Sequence, residues 1–345
     1  MKLGKWIFAG IYIIVILLFT IIGRTNLPEP VLKGLFWEIQ SGMWSDIGLN
    51  ILLFVPLGLI IGGWKGVIIS FAFSGMIEAI QYFFQIGYCE LDNLLNNTIG
   101  AGIGVGIKAL AESVVLKKWD DLPEAFKNPE VRPYWEALDK CRGQLVLKRT
   151  FDILVSVFLL VILAVPMLVI AILIKADSDG TVFYRQERVT KYGKHFRIHK
   201  FRTMVSNADQ IGAAVTVGND RRITKVGMKL RHLRLDEFPQ LFDVLAGTMS
   251  FVGTRPEAVK YVEKYKPEYN ATLLMPAGIT SEASIRYKDE EKLLSINDDT
   301  DKVYIEEILP AKMKWNLDSI LKYGFLKDIF TMFRTVFAVL GKDYQ

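Results

Sequence analysis

Five apolar runs, nearly free of charge, constrain this chain more than any other feature. Trp6–Ile22 has 17 residues without a charge, and Ile47–Trp64, Gly66–Ile86, Leu94–Leu116 and Phe151–Ile174 follow. A bilayer core asks for roughly 17–25 predominantly apolar residues in a helix. These runs explain a composition that is 51% apolar with a mean hydropathy of +0.26, too greasy for an ordinary soluble enzyme. The excess is uneven: the first 116 of the 345 residues are mostly long uncharged stretches, whereas from residue 176 onward the charge content is that of a globular domain. A membrane part followed by a water-facing part is the simplest organisation, and the length allows two or three domains. Cys89 and Cys141 lie in different regions without metal-ligand spacing, so neither a disulfide framework nor a zinc site is implied.

Flanking charges orient the first four runs. Lys2 and Lys5 precede the first, Lys65 follows the second, and Lys117 and Lys118 follow the fourth. The positive-inside rule then puts both ends of a four-span bundle in the cytoplasm, with Arg24 and Lys33 as minor exceptions. Gly23-Arg24-Thr25-Asn26 is a poor cleavage site, which argues against a signal peptide. Polar groups at membrane depth are costly and each asks for a reason. Glu78 and Gln81 share a helix face, Asn50, Asn96 and Asn97 lie near membrane depth, and Asp46 and Asp92 mark the outer edge. Gly100, Gly102, Gly104 and Gly106 offer small-residue pairs for close helix approach, and no strand precedes them to make a dinucleotide fingerprint. Interhelical hydrogen bonding is the bland explanation of the polar groups; a lipid-headgroup or ligand site is the sharper one. The stretches "DIGLNILLFVPLG", "EAIQ" and "LDNLLNNTIGAGIG" resemble the VanZ-like membrane family over roughly residues 5 to 115, with Asn93 where many members carry a second Asp. The mixed polar segment "KKWDDLPEAFKNPEVRPYWEAL" (117–138) reads as a linker, with a domain boundary near residue 140.

The fifth run is different. Its 24 residues suffice to cross, yet Lys148 and Arg149 precede it, Lys175 and a dense basic field follow it, and Pro166 lies past its middle. A proline inside a helix removes one hydrogen bond and bends the axis. A run that enters, kinks and returns to the same face satisfies both basic flanks; a fifth crossing is the alternative.

Between Arg185 and Arg234 stand thirteen Lys/Arg, opposed only by Glu187, Asp209 and Asp220. Such a field holds anionic lipid or phosphates. Nucleic acid is a poor fit, because basic and aromatic residues are not interleaved. "TVFYRQERV" and "HFRIHKFRTM" alternate like strands, which predicts the charges on one face. In "LRLDEFPQL" two adjacent carboxylates, Asp236 and Glu237, sit at the edge of this field. Leu230, Leu233, Phe238, Leu241 and Leu245 predict a helical stripe limited by Pro239. Neighbours on a helix point about 100° apart, so the two acids have separate jobs. A carboxylate can attack phosphorus covalently if it stays ionised, and nearby arginines favour that form. The anionic target then needs a divalent cation and guanidinium groups. Arg231 and Arg255 (in "VGTRPE") suit that role.

Together "KRTFDILVSVFLLVILAVPMLVIAILIK", "VFYRQERV", "HKFRTM", "ITKVGMKLRHLRLDEFPQL" and "MSFVGTRPE" resemble the bacterial sugar transferase family, the monotopic polyprenyl-phosphate phosphoglycosyl transferases, over about residues 145 to 290. The resemblance implies transfer of a sugar-1-phosphate from a UDP-sugar to undecaprenyl phosphate, with UMP released and Mg²⁺ required. It implies Asp236 as nucleophile, Glu237 as a holder of Mg²⁺ and donor diphosphate, Arg231 and Arg255 as phosphate contacts, and Lys200 and Arg202 near the donor. The Pro166 kink corresponds to the family's re-entrant helix, although Val165 replaces the usual Ser before it. Thr181 and Thr254 stand where Pro is common, and Thr190 where Gly is common. "PAGITSEASIRYKDEEKLL" resembles the family's variable region, expected to shape sugar choice. "YGFLKDIFTMFRTVFAVLG" (323–341) is an amphipathic helix for membrane or core, with core packing preferred.

The expected architecture is therefore a four-helix transmembrane domain (1–116), a linker (117–144) and an α/β monotopic catalytic domain (145–345) with a re-entrant helix over 151–174. The expected setting is the bacterial inner membrane with the catalytic domain in the cytoplasm; the sugar, the pathway and a homodimer are left open. Two rivals predict otherwise: a non-enzymatic membrane protein whose basic domain docks on lipid or a partner, and a membrane-bound phosphate-ester hydrolase.

Overall fold

A computed structural model describes residues 2–21, 26, 28–113, 116–206, 208, 222–287, 300–339 and 341. Asp209, Asp220 and Arg221 of the basic field, Arg24, and residues 288–294 lie outside the described residues. The chain divides into two compact units, Met1–Ser113 and Val114–Gln345.

The first unit is built from α1 (Lys2–Ile21), the short α2 (Trp37–Gln40), α3 (Trp44–Ile61), α4 (Gly63–Phe84) and α5 (Leu91–Ser113). The expected spans are all helical, with boundaries shifted by a few residues. By length and composition α3 and α4 suffice to cross a membrane; the apolar part of α1 among the described residues is the shorter Trp6–Ile21. Helix α5 is not apolar enough to join them, because it carries Asp92, Asn93, Asn96 and Asn97 in its first two turns. Of the four glycines in α5, Gly100 and Gly104 meet α3: a Cβ on either would collide with the carbonyl of Ile51 or Val55. Gly102 and Gly106 face open space. The useful pair is thus one turn apart on one face, as close helix packing demands.

The polar groups of this unit bond to one another. Asp92 accepts from the backbone N–H of Phe36 (2.5 Å) and Glu38 (2.9 Å). Glu38 accepts from Asn96 (2.7 Å), Glu78 from the Glu90 N–H (2.7 Å), and Glu90 from Asn93 (3.2 Å) and Lys33 (3.4 Å). These bonds staple the 28–43 segment, including β1 (Leu32–Lys33), to β2 (Cys89–Glu90) and the start of α5.

The second unit opens with a correction. Residues 117–138, read as a linker, belong to its core: Leu122, Phe126, Val131 and Leu138 are buried with Tyr261, Leu274 and Met313. Their apolar anchors sit on two 3₁₀ turns and on α6 (Arg132–Lys140), so no single period advertises them. Helix α7 (Arg142–Asp177) runs 36 residues and contains Pro166 without interruption. One side of its middle is open, with Phe158 62% and Val161 72% exposed, while Leu159, Leu160 and Leu163 pack against the core and both ends are built in. Near the N-terminal end Lys148 pairs with Asp328 (2.6 Å), Arg149 donates to the carbonyls of Val244 (2.5 Å) and Leu245 (2.8 Å), and Asp152 accepts from Ser250 (2.7 Å). At the C-terminal end Asp177 accepts from the Val226 N–H (2.9 Å), and Ile170 and Ile174 pack with Phe201 and Leu230.

Around this shaft lie the antiparallel hairpin β3 (Phe183–Thr190) and β4 (Lys194–Phe201), helices α8 (Lys225–His232) and α9 (Gln240–Ala246), and the parallel pair β5 (Met249–Val252) and β6 (Ala277–Thr280). The mixed α/β expectation therefore holds. The charges of the hairpin do not share one face: the register sets Tyr184 opposite Lys200 and Arg188 opposite Phe196, while Arg185 opposes His199 and Glu187 opposes Arg197. Helix α10 (Leu309–Leu321) packs into the core. Helix α11 (Phe325–Val339) does not bury its apolar stripe as expected. Met332 packs inward, but Leu326, Phe330, Phe333 and Phe337, spaced by three and four residues, are exposed, Phe330 by 68%. That stripe and the open side of α7 are surfaces suited to lipid.

Candidate active site

The predicted stripe from Leu230 to Leu245 is not one helix. Helix α8 ends at His232, Arg234 takes a left-handed conformation (φ 52°), and Leu235–Glu237 form a 3₁₀ turn before Pro239 starts α9. Leu230 and Leu241 are buried, while Leu233 is exposed. This break matters, because it turns both carboxylates of the 3₁₀ turn toward the hairpin and the 253–257 loop.

Glu237 is clamped. Its Oε1 accepts from Arg255 Nη2 (2.6 Å) and from Lys200 Nζ (3.2 Å). Although burial opposes ionisation, Arg255 and Lys200 hold its carboxyl well below the ordinary carboxylate range. Glu237 in turn raises the Arg255 pKa. Burial lowers that of Lys200 against the pull of Glu237. Asp236, beside it, has no hydrogen-bond or ion-pair partner among the described residues. Its pKa is raised, contrary to the expectation that arginines would lower it: burial dominates and Glu237 adds to it, against Lys200, Arg231 and Arg255. The two acids thus differ in kind: one is a fixed anion holding cations in place, the other a carboxylate without a partner among the described residues.

The loop bearing Arg255 is fixed from behind. Gly253 and Gly278 touch so closely that a Cβ on either would strike the other strand's backbone, and Gly278 N–H donates to the Thr254 carbonyl (2.8 Å). Arg255 Nη1 also reaches the Ile279 carbonyl (3.3 Å). Lys200 is set by its neighbour His199, whose backbone N–H and Nδ1 both bond to Asp243 of α9 (2.8 Å each). Arg231 donates from Nε to Thr203 Oγ1 (2.9 Å), which leaves its terminal nitrogens for other partners. Arg202 is not brought to the carboxylates. It is buried, and its guanidinium bonds to the Ser178 carbonyl (2.7 Å), the Asp179 carbonyl and Ser206 (2.8 Å), bracing the turn after α7.

Sequence reasoning passed over Arg188. It stands on the same hairpin face as Lys200 and donates to the Pro256 carbonyl (3.3 Å) beside Arg255. Its place in an alternating strand was the available signal; its approach to the 253–257 loop is tertiary.

No cage of three or more His, Cys, Asp or Glu suited to a metal occurs among the described residues. Mg²⁺ does not need one: it keeps several waters and is held through one or two carboxylates together with substrate phosphates. Asp236 and the unbonded Oε2 side of Glu237 offer that donor set, so these residues fit the ion.

A family model described as bacterial sugar transferase matches residues 143–342, and one described as VanZ/LLP1 matches residues 6–112. The chain belongs to the bacterial sugar transferase family. It is 38% identical over 213 residues to the exopolysaccharide production protein PSS of Rhizobium leguminosarum bv. phaseoli, covering 58% of this chain and 99% of that one. It is 44% identical over 122 residues to a UDP-N-acetylgalactosamine-undecaprenyl-phosphate N-acetylgalactosaminephosphotransferase of Aeromonas hydrophila, covering 35% of this chain and 29% of that one. A third relative is the UDP-glucose:undecaprenyl-phosphate glucose-1-phosphate transferase of Escherichia coli, 35% identical over 197 residues, 56% of this chain and 40% of that one. The chain thus spans less than half the length of the latter two. The apolar helices and the family together make it a membrane protein, and two of these three relatives are named as undecaprenyl-phosphate sugar phosphotransferases.

Proposed function

We propose that this chain transfers a sugar-1-phosphate from a UDP-sugar to undecaprenyl phosphate, as an initiating step of surface-glycan synthesis. The observation that carries the reading is the division of labour at residues 236 and 237. Glu237 binds Lys200 and Arg255, while Asp236 lies next to the same cations with no partner among the described residues. An oxygen of Asp236 attacks the sugar-bearing phosphorus of the donor; the P–O bond to UMP breaks and UMP leaves. An oxygen of the lipid phosphate then attacks the same phosphorus, the acyl-phosphate bond breaks, and Asp236 is restored. Arg231, Arg255 and Lys200 face the charge that develops on the phosphoryl oxygens, where fixed donors are worth most. When bound, Mg²⁺ would offset diphosphate charge, with Glu237 as its protein donor.

The non-crossing, re-entrant placement of α7 is part of the proposal. At about 1.5 Å per residue its length well exceeds the ~30 Å of a bilayer core. Both ends are nevertheless bonded to the same globular unit, through Arg149 and Asp152 at one end and Asp177 at the other. A straight crossing would part those anchors by the thickness of the membrane. The site then lies at the cytoplasmic face of the inner membrane. A label placed after residue 176 should read cytoplasmic; an exterior signal removes this placement.

The test of function is UMP release by purified protein with undecaprenyl phosphate, Mg²⁺ and a panel of UDP-sugars. Release is expected only with lipid present, and a sugar-phosphate adduct on Asp236 should accumulate when lipid is withheld. Release without lipid points to hydrolysis, and no release with any donor points to a docking protein.

A further inference from the structure

Behind the site lies a polar cluster that the chemistry above does not use. Glu257 and Lys312 are 8% and 5% exposed. Tyr304 donates its hydroxyl proton to Glu257 Oε1 (2.7 Å), and Lys312 Nζ donates to the same oxygen (3.1 Å) and to the Tyr304 oxygen (2.9 Å). Tyr304 and Lys312 are eight residues apart, which on a regular α-helix sets them about 80° out of line. The π-helical turn Tyr304–Ile308 takes up the extra residue, so the two side chains return to one face. Such turns recur at functional sites.

Glu257 also ends the loop that carries Arg255. Its carbonyl accepts from the Val189 N–H (3.2 Å), while Arg188 Nη1 reaches the Pro256 carbonyl (3.3 Å) and Nη2 the Gln186 amide oxygen (2.6 Å). Two guanidinium groups therefore converge on one loop that contains a buried carboxylate. By default that carboxylate would take one of them as its partner. It does not: the Glu257 side chain is bonded to Lys312 and Tyr304, and Arg188 bonds to neutral oxygens. Burial lowers the Arg188 pKa, and Glu257 and Arg255 are both near enough to act on it.

We infer that Lys312, by tying up Glu257 together with Tyr304, is a positioning residue that keeps this carboxylate from capturing Arg188 or Arg255, so that the two stand as a paired guanidinium clamp for the donor's diphosphate. Lys312 keeps the Glu257 charge from closing the clamp on itself. The inference rests on the transfer reading above and adds Arg188 to its substrate contacts.

The experiment titrates UDP into the full-length protein in nanodiscs with Mg²⁺ and runs transfer kinetics on the same preparations. Lys312→Met leaves Glu257 free to capture an arginine, and UDP binding weakens by about tenfold or more. Adding Glu257→Gln removes the captor and brings affinity back to within about threefold of wild type. Lys312→Arg keeps the pair and the affinity. A scaffold-only role predicts a double variant no better than the single one, and that result overturns the inference. In the kinetics the loss should fall on kcat/KM for the UDP-sugar and spare that for undecaprenyl phosphate; a loss confined to the lipid overturns the assignment to the donor. Should Lys312→Met fail to fold, Arg188→Gln decides, since unchanged UDP affinity there eliminates the clamp. UDP binding is read without turnover, so a protein that binds UDP through the clamp yet transfers nothing refutes the transfer reading alone.

Discussion

The carboxylate cluster of the first unit and the carboxyl pair at 236–237 of the second are treated in opposite ways. In the first, Asp92, Glu38 and Glu90 receive their donors from the unit's own backbone, amides and one lysine, and the result is a stapled loop. In the second, Lys200, Arg231 and Arg255 gather about two acids, of which one is gripped and one has no partner among the described residues. A satisfied carboxylate is architecture, whereas a surplus of oriented cations around a free one awaits an anion. The difference lies in who supplies the partner, not in the residue types.

That contrast can be broken at several points. The largest effect is expected at Asp236→Asn, where transfer falls by roughly 10³-fold or more while the fold is kept. Near-normal UMP release from this variant would end the assignment. Next is Glu237→Gln, which loosens Lys200 and Arg255 together and should lower kcat/KM for the UDP-sugar by about 10²-fold. Asp92→Ala, by comparison, strands two backbone donors in the first unit, the Glu38 N–H buried and the Phe36 N–H partly so. It should cost roughly 2–6 kcal/mol of stability in thermal unfolding, with transfer per folded molecule within about twofold. A large loss of transfer there would bring the first unit into the chemistry and erase the contrast. Arg202→Lys should destabilise by about 1–3 kcal/mol and leave the UDP-sugar KM unchanged, as expected of a brace rather than a ligand. The smallest effect concerns pH. Asp236 must be ionised to attack, and its raised pKa means that activity disappears on acidification at a higher pH than an ordinary aspartate at 3.8 would give. An acid limb at or below that value would contradict the raised pKa.

Much of this was legible in the residues. The apolar runs became helices, and "KFRTM", "LRLDEFPQL" and "VGTRPE" supplied Lys200, Asp236, Glu237 and Arg255, which the fold brings together across 55 residues of chain. Less legible were features that depend on partners far away in sequence. Arg202 belongs to the same motif as Lys200 but turns to Ser178 and Asp179. The 117–138 segment looked like a linker because its buried residues obey no period. Arg188 and Glu257 sat in quoted motifs without a role, since their roles come from Pro256 and Lys312.

Taken alone, the sequence determined which stretches are apolar helices and that a carboxyl pair stands at the edge of a basic field, because hydropathy period and charge density are properties of neighbouring residues. The tertiary structure decided which of the two acids is free, which arginines serve the site and which brace it. A buried charge takes its partner from whatever the fold packs beside it, and that contact is not written in the local sequence.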